Sequence, residues 1–317
     1  MATATTTNLS ELMATFYDKK LLTRLVPQLV IYQFGLKKKI PKGAGKSIVW
    51  SIYTDLPSAT TALTEGTTPS SRTLSATNVS ATVEAYGDHA IITDFVSVTA
   101  IDPVLESKAD GVFADQAALT VDTLCRNILS AGTAQIARGK SAVSDLQTSD
   151  TLNAAEIRKA VRTMEKNKAK PHRMTPGFYP TIVAPFTKYD LIGDTATGSW
   201  VDVRKYVESR QKEIETNKVG DLYGAKIYMT QNLEEVSAVG YGANTYNNLM
   251  IGDESFGVTD IVGLNGASMI DIIVKQVGSS GSADALNQRG SVGWKVYFVT
   301  KILNANALMV IKTGASA

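Results

Sequence analysis

Hydrophobic and polar positions along the chain fall into stretches of differing periodicity. In residues 1–46, Leu9, Leu12, Met13 and Phe16 recur at helical spacing. Leu21, Leu22, Leu25, Val26 and Leu29 continue the apolar supply, with Pro27 interrupting any helix there. Lys37 to Lys46, with Pro41, Gly43 and Gly45, has the composition of a loop. An arm this apolar needs a surface to pack on, and a terminal segment has no core of its own.

Ser47 to Thr54 (Ser-Ile-Val-Trp-Ser-Ile-Tyr-Thr) predicts a strand rich in β-branched and aromatic residues. Residues 51–82 then hold fifteen Ser or Thr in thirty-two positions, with Pro57, Gly66 and Pro69 among them. Strand-like alternation resumes from Val79 to Val98. Val79, Ala81, Val83 and Ala85 share one parity, and Ile91, Phe95 and Val98 follow among polar residues. Two strands joined by a long polar tip predict an extended hairpin. Its tip has too few apolar residues to offset its own ordering, and a two-stranded projection is marginal alone in water. It is expected to lie on another chain.

The clearest helix follows. Asp102 can cap it and Pro103 suits its first position. Leu105, Ala109, Val112, Gln116, Val121, Leu124 and Ile128 then recur in steps of three to five, and Gly132 supplies a stop. A rod of about 40 Å is expected. From Thr151 the pattern turns α/β. Asn153 caps a helix carrying Ile157, Ala160, Val161 and Met164, and Pro171 follows as a stop; Tyr179 to Pro185 is a strand; Phe186 to Ile192 starts a short helix. Val201 to Thr216 is a charged amphipathic helix, and Asp221 to Thr230 turns into a strand at Lys226. Further strands are expected at Asn248 to Ile251, Ser268 to Val277, Trp294 to Val299 and Ala307 to Lys312. No repeat of fixed period is present.

Composition narrows the classes. At 317 residues, 44% hydrophobic and 20% charged, the chain has the make-up of an ordinary globular protein of about two domains. No run reaches the ~18 apolar residues of a membrane span, and Met1 to Ser10 lacks the basic and apolar regions of a signal peptide. A soluble protein of a reducing compartment is therefore expected. One cysteine, Cys125, excludes an internal disulfide and a cysteine zinc cluster, and two histidines leave no multi-histidine metal site. The net charge of +2 argues against a dedicated DNA-binding domain.

That total hides opposed segments: residues 1–46 carry +6, 47–100 carry −4, 101–150 carry −3 and 151–217 carry +4. Such runs are either solvated faces or complementary surfaces, in one copy or between copies, that set register. The seven basic residues between Arg158 and Arg173 could touch nucleic acid, although a charged helix face is more often simply solvated.

Candidate chemistry changes the picture little. Gly43-Ala-Gly-Lys-Ser47 resembles the end of a phosphate-cradling loop, but Ile40 stands where its first glycine belongs, and a strand follows instead of a helix. Asn78-Val-Ser80 fits a glycosylation sequon by chance. His89, beside Asp88, has no placed nucleophile, and His89 and His172 are both expected at surfaces or interfaces. Cys125 is expected as a buried small hydrophobe. The pairs Asp253-Glu254 and Glu234-Glu235 lack partners for metal or acid–base work. No enzyme constellation emerges, and no cofactor or metal is expected.

The order of elements, an apolar basic arm, a Ser/Thr-rich hairpin, a long helix, an α/β insert and returning strands, resembles tailed-bacteriophage major capsid proteins with the Hong Kong 97-like (Johnson) fold. Phe16-Tyr-Asp-Lys-Lys-Leu-Leu22 with Val26-Pro-Gln-Leu29 is similar to the opening of the coliphage N-four capsid protein subfamily. So are Asp102-Pro-Val-Leu105, Ala184-Pro-Phe-Thr-Lys-Tyr-Asp-Leu191 and Leu286-Asn-Gln-Arg-Gly-Ser-Val-Gly-Trp-Lys295. The collinear set over nearly the whole chain carries the likeness, since no single motif is specific.

The resemblance implies an α+β fold with residues 1–46 as N-arm, 47–98 as extended E-loop, 99–150 with 262–317 as peripheral (P) domain holding a spine helix, and 151–261 as axial (A) domain. It implies a structural protein of the virion, assembled in the host cytoplasm, whose copies form hexamers and pentamers of an icosahedral shell around double-stranded DNA. Implied partners are other copies, a portal, scaffolding or decoration proteins and, non-specifically, the packaged DNA; no membrane is implied. No cleavable scaffold-like segment precedes Met1, so a scaffold is expected to be a separate protein or absent, and no lysine–asparagine crosslinking pair is identifiable. The segment charges make Phe16, Leu21, Leu22 and Leu25 candidate apolar anchors between subunits, with Lys19, Lys20, Glu65 and Arg72 as charged contacts. The alternatives are an encapsulin-like nanocompartment shell and, in another class, a soluble α/β enzyme with an appended hairpin.

Overall fold

A computed structural model describes residues 29–41, 43, 45–99, 109–204, 220–233, 235–239, 243–261, 270–275, 277, 284 and 286–316. A 3-10 turn at Tyr32–Phe34 leads into β1 (Leu36–Ile40), the hairpin strands β2 (Ser47–Tyr53) and β3 (Ala76–Thr82), and β4 (Glu84–Thr93). Helices α1 (Asp94–Thr99) and α2 (Ala109–Leu129) follow, then β5 (Ala134–Ile136) and α3 (Ala154–Lys166). Next come β6 (Tyr179–Val183), α4 (Pro185–Gly193), α5 (Trp200–Arg204), β7 (Asp221–Leu222), β8 (Ala225–Met229) and β9 (Glu235–Val239). The chain closes with β10 (Ala243–Ile251), β11 (Phe256–Ile261), β12 (Ile270–Lys275), β13 (Arg289–Ile302) and β14 (Leu308–Gly314).

Three sheets result. The long β13 joins β4 along one edge and β12 and β11 along the other, with β1 outermost and parallel to β11. A seven-stranded sheet runs β5-β14-β10-β6-β8-β7, with β9 also on β10. The hairpin β2–β3 pairs only with itself, from Ser47↔Thr82 to Tyr53↔Ala76.

Two cores hold these layers together, and strand alternation explains how one sheet serves both. Leu249 and Ile251 of β10, with Leu308 and Val310 of β14, face α2, which inserts Ala117, Val121, Cys125 and Leu129 at four-residue spacing. Trp294, Val296 and Phe298 of β13 join the same core. The alternate residues Met250, Met309 and Ile311 face Ile157, Ala160, Val161 and Met164 of α3. Asn153 caps α3 as its sequence requires, its side chain accepting the Glu156 N–H at 3.0 Å.

Several expectations need correction. Lys37–Lys39 lie in β1, not in a loop. Ile40 is buried and Leu36 half-buried under the hairpin while the three lysines remain exposed on an outermost strand, where charge discourages unwanted pairing. The strand expected through Val98 ends at Thr93, and Asp94–Thr99 is helical. Pro185 opens α4 as a first-turn proline instead of ending a strand. β5, β9 and β11 were not expected at all. The cap at Asp102-Pro103 and the helix beyond Arg204 lie outside the described residues, as do residues 1–28.

Candidate inter-subunit surface

The hairpin is anchored at one end only. Ile48, Trp50 and Val83 form its buried base with Ile40, against Leu36, Tyr297, Val299 and Leu303. Inward residues pair across the strands as Ile48↔Ala81 and Trp50↔Val79. The outward face mixes polar groups with exposed Val49 and Tyr53: the Ser51 hydroxyl donates to Asn78 Oδ1 at 2.8 Å, and Ser47 and Thr82 hydroxyls lie 3.4 Å apart. Trp50 lies flat over Gly257 of β11, where an added Cβ would come within 2.8 Å of the indole. Only glycine at that position admits the ring.

Beyond Tyr53 and Ala76 the support stops. Residues 54–75 are exposed throughout. The strands close at a Thr54 N–H to Ser75 carbonyl bond, and a turn at Gly66 lets the Thr67 N–H reach the Thr64 carbonyl at 3.2 Å. Large apolar side chains stand in water here, Tyr53 at 75% and Leu63 at 77% exposure, with Leu56 and Leu74 beside them. Isolated exposed apolar residues are ordinary. These four stand on a segment that has no core of its own.

The β13 face that seats the hairpin continues past it uncovered. Ser291, Gly293 and Lys295 of β13, with His89 on one side and Ile273 and Lys275 on the other, border an open cavity of about 430 Å³. Gly293 is obligatory: a Cβ there would sit 2.7 Å from the Asp88 carbonyl. The opposite face is locked to α2 by Gln116, whose amide donates to Asp88 at 2.8 Å while its oxygen accepts the Trp294 indole N–H at 3.0 Å. These contacts hold the Asp88 carboxyl below its ordinary value, with the Gln116 bond the largest cause.

Of the residues expected to make contacts, Phe16, Lys19, Lys20, Leu21, Leu22 and Leu25 lie outside the described residues. Glu65 and Arg72 are both in the exposed tip and form no ion pair among the described residues. The base, Trp50 on Gly257, was missed. Its only sequence signal is a tryptophan at one position of an apolar strand, and the glycine lies far along the chain.

The groups that could carry chemistry are accounted for structurally. His172 is buried, not at the surface as expected: its Nε2 donates to the Phe34 carbonyl at 2.9 Å while Nδ1 accepts the Met174 N–H, and Phe34 packs edge-on against its ring. His89 is exposed in β4, its backbone N–H held by the Asp88 carboxylate. Cys125 is enclosed beside the Thr300 hydroxyl, and burial pushes its thiol up to about 12, which leaves no thiolate for reaction. The Lys46 loop turns into β2. Among the described residues no group of three His, Cys, Asp or Glu could hold a metal, and no helix is long and apolar enough to cross a membrane.

Comparison with known proteins agrees with this architecture. No family model matches the sequence, and no curated protein matches it. Solved structures do match. The capsid of Cyanophage P-SCSP1u superposes with a TM-score of 0.69 at 13% identity, covering 99% of this chain and 96% of that one. The capsid of Ralstonia phage GP4 gives 0.69 at 13% identity over 90% and 88%. The capsid of a native GTA particle gives 0.65 at 9% identity over 99% and 100%. The chain therefore has the fold of phage capsid subunits, a mixed α+β architecture of the Hong Kong 97-like type.

Proposed function

We propose that this chain is the major capsid protein of a tailed bacteriophage, with copies assembling into hexamers and pentamers of a DNA-containing icosahedral shell. The observation that carries the reading is a capsid-subunit fold matched over nearly the full length of both chains, joined to a hairpin that its own body does not cover. In this reading residues 1–46 are the N-arm, 47–98 the E-loop, 99–150 with 262–317 the P domain and 151–261 the A domain. Strand pairing argues for shifting two of these bounds. β4 pairs with β13, which moves 84–93 from the E-loop to the P domain. β14 pairs with β10, which moves 308–314 from the P domain to the A domain. α2 is the spine helix, packed in the core that both sheets share.

The function is structural and uses no cofactor. The tip with Glu65 and Arg72 would settle on a neighbouring subunit, and the uncovered half of the β13 face would be its seat there. The arm would bind through Phe16, Leu21, Leu22 and Leu25, whose burial gives about 1.5–3 kcal/mol each. Lys19 and Lys20, at roughly 0–1 kcal/mol per exposed pair, would set register. Folding would then be completed by assembly, so protomer stability depends on concentration. A portal and scaffolding or decoration proteins are the remaining partners, and the location is the virion, built in the host cytoplasm.

Negative-stain microscopy of the purified full chain tests this reading. Closed shells are expected; discrete small oligomers overturn it in favour of a hairpin-bearing enzyme. Shells carrying protein cargo instead of DNA would make the chain an encapsulin-like compartment.

A further inference from the structure

The helix α3 keeps its apolar residues strictly on one side. Ile157, Ala160, Val161 and Met164 are buried against the seven-stranded sheet, and every strongly exposed position on the helix except Ala155 is charged. Arg158, Arg162 and Lys166 follow one another at four-residue intervals, about 6 Å apart along the axis. The loop after the helix continues the row through exposed Lys168 and Lys170 to Arg173. Arg173 in turn borders a cavity of about 270 Å³ together with Lys37 of β1, whose neighbours Lys38 and Lys39 are exposed as well.

Little neutralises this row. Glu156 faces inward and is taken by the Gln135 amide and the Arg138 N–H, with Lys159 alongside at 3.8 Å. Asp253 and Glu254 pair with Arg173 at the far end. Glu165 is the one exposed acid on the helix. Among the described residues Arg162, Lys166, Lys168 and Lys170 form no ion pair, while the Arg158 guanidinium rests over the Tyr223 ring at 5.0 Å. That stacking holds one cation in place in advance.

We infer that the exposed face of α3 and its following loop form a binding surface for the sugar–phosphate backbone of double-stranded DNA. The competing occupant is an acidic face of another copy. Stable interfaces between proteins centre on buried aromatic or aliphatic anchors, and α3 offers none on its exposed side. A phosphate backbone needs only repeated cations at suitable spacing. The assignment rests on the capsid reading solely for the source of the DNA, and it makes this side of the A domain the one that meets the packaged genome.

The test measures binding of a mixed-sequence DNA duplex to the full chain across a salt series, alongside shell formation by microscopy. In R158Q/R162Q/K166Q the slope of log K against log salt should become shallower by roughly 2–3, near 0.9 per lost cation, with shells still forming. The charge reversal R158E/R162E/K166E should abolish binding, and circular dichroism of both variants reports whether α3 remains folded. Unchanged salt dependence in folded variants overturns the inference. Lost shells with unchanged DNA binding also overturn it, and make α3 a contact between copies. Failure of the wild-type chain to form shells would remove the capsid reading while the salt slopes still decide the DNA surface.

Discussion

The hairpin β2–β3 and the seven-stranded sheet around β10 use similar strand chemistry with opposite outcomes. Every residue of β6 is buried, and β10 and β14 send alternate side chains into two separate cores. The hairpin buries Ile48, Trp50 and the adjoining Val83 at its root and leaves residues 54–75 in water. One region completes its burial within a single copy. The other leaves its apolar tip residues uncovered within one copy. On the proposed reading, stability and assembly are encoded in separate places, and each can be perturbed without the other.

The largest effect should come from cutting the hairpin back. Replacing residues 55–74 with Asn-Gly would close β2 and β3 through the two-residue turn such strands prefer. Thermal unfolding of the protomer should stay within the ~0.5 kcal/mol typical of surface changes, while shells disappear from micrographs. Normal particles from this variant would show the tip to be dispensable.

The reciprocal change is Leu249→Ala, which opens a cavity beside Ile182 and Val310 in the α2 core. It should cost about 2–5 kcal/mol in urea unfolding, as buried Leu-to-Ala changes do. Leu63→Ala in the tip should cost nothing measurable in the same assay. Equal losses for the two would erase the distinction between regions.

Sequence reasoning reached the self-contained region more easily than the seam between regions, for a physical reason. The Asn153 cap and the buried set of α3 lie within a few residues of one another, so local spacing carries them. β1 was hidden because three lysines interrupt Leu36 and Ile40, and only pairing with β11 makes the segment a strand. His172 sits among Lys170, Pro171 and Arg173 and looked like a surface residue, yet its partner is a carbonyl 138 positions away. The hairpin tip was legible from composition alone, since nothing in it could form a core. Its seat was not, because Gly257 looks like any other glycine until Trp50 lies on it.

That seat gives the next prediction. Gly257→Ala would place a methyl group 2.8 Å from the Trp50 indole, and the ring, backed by Ile48 and Val83, has little room to withdraw. The strain should cost about 1–3 kcal/mol and expose the indole, seen as a red shift of tryptophan emission. Unchanged emission and stability would mean the base tolerates movement, and the hairpin would then be hinged, not seated.

The smallest expected effect lies at Asp122, where the body receives the arm. This carboxylate on α2 is 1% exposed and accepts the N–H groups of Ile31 at 2.9 Å and Tyr32 at 3.2 Å, with the Asn232 amide at 3.5 Å. Burial raises its pKa above the ordinary carboxylate value, outweighing those hydrogen bonds and the nearby Arg126 charge, which act the other way. A raised folded-state value means the native protein binds this proton more tightly than the unfolded chain does. The stabilisation is therefore fully present below the unfolded value near 3.9 and is lost as pH rises through the higher folded value. Asp122→Asn keeps an oxygen to accept both N–H groups and has no charge to desolvate. The unfolding free energy of the variant relative to wild type should therefore move in its favour between pH 4 and pH 8. A pH-independent difference would show that Asp122 is not what makes the arm root pH-sensitive.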